Sequence, residues 1–168
     1  MHARTLATAV LVLAWTASGA LAQSPTLISQ QKDWAAYSYA GSKGKVCYAL
    51  SKPKKLEPGD RNHGDVFFFI SNRPGEGVNN EPSLIVGYPF RDGSKVDVNI
   101  DGKAYSMFTK GDGAWVENAA QEASLVAAMK AGSSMTVSGV SSRGTNTSYT
   151  FSLSGITASV NIVDKECK

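Results

Sequence analysis

The sequence predicts a mainly β, single-domain antiparallel fold, a β-sandwich or barrel-like roll, with one α-helix. Three observations carry that expectation. Many short runs alternate apolar and polar residues and are bounded by Gly-, Pro- and Asn-rich turns. Two of those runs meet at Asp101-Gly102, a dipeptide that closes two-residue hairpins. A single stretch, Ala119 to Ala131, has a helical pattern with start and stop signals.

The hairpin is the strongest local prediction. A two-residue loop at Asp101-Gly102 sets Val98 opposite Tyr105 and Val96 opposite Met107, on the face that carries Ile100. Asp97 then faces Ser106 on the other side. Turn chemistry, register and alternation agree.

From the start of the chain, His2 and Arg4 precede an apolar run from Leu6 to Trp15. Ala20-Leu21-Ala22 then offers a small-x-small cleavage pattern. Residues 1–22 therefore read as a removable signal peptide, and 23–168 as one β-rich domain. The run is shorter than the roughly 20 residues that span a bilayer, so no transmembrane span is expected. Asp33 to Ala40 is a first strand. Gly41 to Gly44 is a turn, and Lys45 to Leu50 a second strand. Ser51 to Gly64 is a polar loop, Asp65 to Ser71 an apolar central strand, and Asn72 to Pro82 an exposed loop. Ser83 opens the stretch that leads into the hairpin. Ala114 to Glu117 is a short extended piece. Asn118 with Gln121 forms a helix start, Leu125, Val126 and Met129 an apolar stripe, and Gly132 the stop. Met135 to Val140, Ser148 to Leu153 and Ile156 to Val163 read as three further strands.

Composition excludes some classes. Seventeen basic against 14 acidic residues give a formal net charge of +3. That is too small to argue for nucleic acid or an anionic membrane surface. The two cysteines, Cys47 and Cys167, most simply form one disulfide in an exported protein. Closing so long a loop removes unfolded-state entropy worth about 4–5 kcal/mol.

No catalytic constellation emerges. Asp97, Asn99, Asp101 and Gly102 match the start of a calcium loop, but its twelfth position is Phe108 and the segment is a hairpin. His63, the one histidine beyond residue 22, reads as a solvated loop residue. Glu76 and Glu81 share a loop and are the candidate pair for acid–base glycan hydrolysis. Lys52, Lys54 and Lys55 read as a wet loop. Asn146-Thr147-Ser148 fits a glycosylation acceptor that matters only in a eukaryotic host. Tyr88, Phe90 and Arg91 at a strand exit, with Arg143 in a later loop, are residue types enriched at interface hot spots. They form the expected binding surface. No cofactor or metal is expected.

One set of segments carries a resemblance. It comprises Asn80-Glu81-Pro82-Ser83, Gly87-Tyr88-Pro89-Phe90, Ile100-Asp101-Gly102 and Met107 to Trp115 (MFTKGDGAW). It continues with Leu125 to Lys130 (LVAAMK) and Ser141 to Thr145 (SSRGT), together with an early Trp34 and cysteines early and late. Their order and spacing resemble the invasion-associated locus B family of secreted bacterial proteins, over nearly the whole of residues 23–168. The resemblance implies a periplasmic or outer-membrane-associated β-rich protein with a role in host-cell invasion, or a general envelope role. It carries over no catalytic residues. The expectation is a non-enzymatic protein that binds a protein partner in the envelope or on a host cell. The alternatives are a periplasmic carboxylate-dependent glycan hydrolase and an inhibitor of a host hydrolase.

Overall fold

The computed structural model describes residues 24–168, so the expected signal peptide lies outside the described residues. In chain order the strands are β1 (Thr26–Gln31), β2 (Trp34–Gly41), β3 (Gly44–Ser51), β4 (Lys55–Glu57), β5 (Phe67–Arg73) and β6 (Val78–Ile85). They continue as β7 (Lys95–Ile100), β8 (Lys103–Lys110), β9 (Gly113–Trp115), β10 (Ser134–Val140) and β11 (Asn146–Ser152). Helix α1 (Ala119–Ala131) precedes β10, and α2 (Ile156–Glu166) follows β11.

All these strands join one antiparallel sheet in the order β1-β2-β3-β5-β6-β9-β8-β7-β10-β11-β4. The sheet curls without closing, because β1 and β4 end the order and do not pair with each other. Its two flanks are tied instead by single bonds. The Trp34 indole N–H donates to Ser152 O at 2.9 Å, and the Asp33 amide donates to Ser154 O at 3.2 Å. The concave side holds the core, led by Trp34, Phe68, Tyr149 and Phe151. This is the mainly β, sandwich-like arrangement that the alternating runs predict.

The hairpin forms in the expected register: Val98 opposite Tyr105, Val96 opposite Met107, Asp97 opposite Ser106. Asp101 and Gly102 take φ of +48° and +91°, the left-handed pair that a primed two-residue turn requires. Helix α1 is capped as predicted, with Asn118 Oδ1 accepting the Gln121 amide at 3.0 Å. Its Leu125, Val126 and Met129 are buried. Cys47 and Cys167 form the disulfide, with Cα atoms 5.8 Å apart and a sequence separation of 120. It ties β3 to the residue that ends α2.

Four sequence expectations need correction. Ile156 to Val163 is not a strand but the start of α2. Its buried positions Ile156, Ser159, Val160 and Val163 follow a helical period, which the β-branched composition masked. Those apolar side chains are each worth about 1.5–3 kcal/mol on burial, enough to override strand propensity. The described residues therefore hold two α-helices. The polar segment 51–64 contains a short strand, β4, paired with β11. The supposed exposed loop 72–82 is mostly the β5–β6 hairpin: β5 runs on to Arg73 and β6 starts at Val78. Asn72 there is buried and accepts the Asn80 amide at 2.6 Å, which holds a bulge in the pair. Finally, β1 precedes the first expected strand and forms the edge of the sheet.

A cleft over a buried hydrogen-bonded floor

A cleft of about 680 Å³ opens where three connections meet. They are the loop Asp60–His63 after β4, the exit Gly87–Pro89 after β6, and the turn Ser141–Thr145 between β10 and β11. Main-chain bonds hold them together. Phe90 bridges to Ser141, Ser142 N–H donates to Pro89 O at 2.9 Å, and Arg91 N–H donates to Val140 O at 2.9 Å. On the other wall the Gly87 amide donates to His63 O at 3.1 Å. A Cβ at Gly87 would lie 2.5 Å from Gly64 Cα and 2.6 Å from His63 O, so this close approach needs glycine.

The floor is a chain of side-chain hydrogen bonds. His63 Nε2 lies 3.0 Å from Pro58 O, and His63 Nδ1 lies 2.9 Å from the Tyr149 hydroxyl. That hydroxyl is 2.8 Å from Tyr88 Oη, which is 2.6 Å from Thr147 Oγ1. Thr147 Oγ1 also reaches Gly139 O at 3.2 Å. A carbonyl only accepts, so the neutral imidazole carries its hydrogen on Nε2 and donates to Pro58 O. Nδ1 then accepts from Tyr149, and Thr147 donates to the Gly139 carbonyl, so the one Tyr88 hydrogen serves either Tyr149 or Thr147. Four hydrogens face five close contacts, and the Tyr88 hydroxyl is the one that chooses between two acceptors. Burial pushes the Tyr149 phenol well above its ordinary range.

The structure brings some of the expected binding residues together and removes others. Tyr88 is half-buried, with its hydroxyl in the floor. Arg143 is exposed at the mouth. Arg91 is exposed too, but its guanidinium lies against Gly144 rather than in the cleft. Phe90 is a correction: it is 3% exposed and belongs to the core, with its ring packed on Tyr88 at 5.6 Å between centroids. Its ring turns inward against Gly139 and Val96, while Tyr88 is half-buried and Arg91 exposed. His63 is a second correction. It is 6% exposed rather than solvated, because its loop folds back onto the strand exit and both ring nitrogens find partners.

The other candidates are accounted for by pairing. Arg73 binds both carboxylates of the proposed hydrolytic pair, Glu76 through Nε at 3.1 Å and Glu81 through Nη2 at 3.1 Å. In the lysine loop, Lys52 lies 3.8 Å from Asp65 and Lys55 lies 2.6 Å from Glu57. Lys54 meets Asp33 and, by its hydrogen bond, holds that carboxyl below its ordinary range. Among the described residues no three His, Cys, Asp or Glu side chains are grouped to hold a metal ion. Among the same residues no helix is long and apolar enough to cross a membrane.

Sequence reasoning missed Arg61, Thr147 and Tyr149. Thr147 and Tyr149 share the inward face of β11 with Phe151, and that alternation was the available signal. Arg61 carried none, since only the tertiary fold brings its loop to Arg143. A second surface also went unread. On the convex side, Tyr37 stacks on Tyr48 at 5.4 Å and Tyr48 meets Phe69 edge-on at 5.6 Å, all partly exposed.

Comparison with known proteins places the chain. A model of the family described as "Invasion associated locus B (IalB) protein" matches residues 34–164. Among solved structures, the fold is similar to the crystal structure of invasion associated protein B from Bartonella henselae, with a TM-score of 0.56 and 16% identity. The similarity covers 82% of this chain and 96% of that one, and at this identity it speaks for the fold alone. No curated protein matches.

Proposed function

Because the chain belongs to the invasion associated locus B family, we propose that it is an exported, non-enzymatic envelope protein that works by binding a protein partner, with the cleft as its contact surface. Residues 1–22 direct export and are removed near Ala22. The disulfide is in keeping with an oxidising compartment, the periplasm or the outer-membrane face. The observation that carries the reading is the cleft itself. Two arginines, Arg61 and Arg143, stand at the mouth of a floor already fixed by hydrogen bonds. A pre-ordered floor lowers the entropy cost of binding, and arginine is a residue of interface hot spots. The role is an accessory one in envelope function, and in host-cell invasion where the bacterium meets a host.

The test is cross-linking in intact cells with a photo-reactive residue in place of Arg143. The control is the same residue in place of Ala123, exposed on α1. Capture at 143 and not at 123 supports the cleft. An envelope protein among the adducts supports the accessory role, and a host surface protein captured during infection supports a part in invasion. Equal yields at both positions reject the cleft as the contact surface.

A further inference from the structure

We infer that the cleft takes the free C-terminal carboxylate of a peptide, which names the ligand class of the contact surface just proposed and rests on that reading. Its volume of about 680 Å³ sits within the roughly 300–1,000 Å³ of ligand-holding clefts. The charge is specific. Arg61 and Arg143 face it against one acid, Asp60. Asp60 lies 3.8 Å from Arg61, its neighbour in sequence, and both side chains are mostly solvated, so the pairing is weak. Among the described residues Arg143 has no carboxylate within ion-pair distance. The lining thus holds one positive charge in excess, which matches a single carboxylate better than a dianionic phosphate. Guanidinium groups bind carboxylates through paired N–H donors.

The remaining lining fits a peptide. Tyr88 and Pro89 give a partly apolar seat for the last side chains, and Gly87 leaves the main chain bare beside them. Ser142 and Asn62 add polar side chains on opposite walls. The hydroxyls of the floor are already committed to one another, so they fix the shape of the seat rather than supply the pairing. Capture of a terminal carboxylate is a recurrent mode of peptide recognition.

The test is a titration of the nitrogen-15-labelled protein by NMR with acetyl-tetraalanine as free acid. The same peptide as its C-terminal amide, a galacturonic acid dimer and inorganic phosphate are run alongside. The free acid is expected to shift amides of residues 60–63, 87–88 and 141–145 saturably. The amide form is expected to bind about tenfold more weakly, one lost charge-assisted contact. Arg143→Ala and Arg61→Ala should each weaken the free acid several-fold with the rest of the spectrum unchanged. Equal binding of acid and amide overturns the inference. So does binding of the sugar acid or phosphate without the peptide. If position 143 captures a partner while no peptide binds, the ligand class fails and the contact surface stands. If both experiments are blank, both readings fail.

Discussion

Removing the Tyr149 hydroxyl, Tyr149→Phe, should cost more stability than removing the Tyr88 hydroxyl, Tyr88→Phe. The order follows from who can re-pair. Tyr149 is 1% exposed, and its hydroxyl serves His63 Nδ1 at 2.9 Å and Tyr88 at 2.8 Å. Without it, Tyr88 gives its hydrogen to Thr147 at 2.6 Å, while Thr147 keeps its own on Gly139 O at 3.2 Å. His63 Nδ1 has no such recourse and is left buried without a donor. An unsatisfied buried acceptor costs about 1–3 kcal/mol. In Tyr88→Phe, Tyr149 still donates to His63 and Thr147 still reaches Gly139 O, so the loss is one ordinary bond, about 0.5–1.5 kcal/mol. Urea unfolding followed by tryptophan fluorescence reads both, with an unchanged slope required for the comparison. The melting temperature should fall by about 2–4 °C for each kcal/mol. Equal losses, or a larger loss for Tyr88→Phe, would refute this assignment of hydrogens and the acceptor role it gives His63 Nδ1.

Three further outcomes follow from the same structure. The raised pKa of Tyr149 means the folded state holds that proton more tightly than the unfolded chain, whose phenol titrates near 10.0. Its stabilising contribution is complete below that pH and is lost as the pH climbs above it, so alkaline unfolding should soften in Tyr149→Phe. Phe90→Ala should open a cavity in the core and cost roughly 3–5 kcal/mol by urea unfolding; a loss under 1 kcal/mol would mean that the ring is not packed as described. Replacing Cys47 and Cys167 together by alanine should cost about 4–5 kcal/mol through the freed 120-residue loop, and an unchanged urea midpoint would contradict that.

What the sequence made legible was local. The β7–β8 hairpin depends on two turn residues and the pairs that face each other beside them, all within a short stretch, and Val98–Tyr105, Val96–Met107 and Asp97–Ser106 formed in the predicted register. The cap at Asn118 is equally local. The second helix was hidden because Ile, Val and Ala over eight residues satisfy both a period of 2 and a period of 3.6, and only the sheet behind them decides. The cleft was half legible. Tyr88 and Arg143 were singled out by residue type, while Phe90 beside them had the same chemistry and turned inward. His63 sat in a polar loop, and nothing in that loop announces that it folds onto Gly87. Arg61 and Arg143 lie far apart in the chain, so their meeting is a property of the curled sheet alone.

The most direct test of the central claim is hydrogen–deuterium exchange with and without the partner retrieved through position 143. The account predicts added protection in residues 60–63, 87–91 and 141–147, with the convex aromatic strands β2, β3 and β5 unchanged. Protection on those strands instead, around Tyr37, Tyr48 and Phe69, would contradict it and move the contact surface to the opposite side of the sheet.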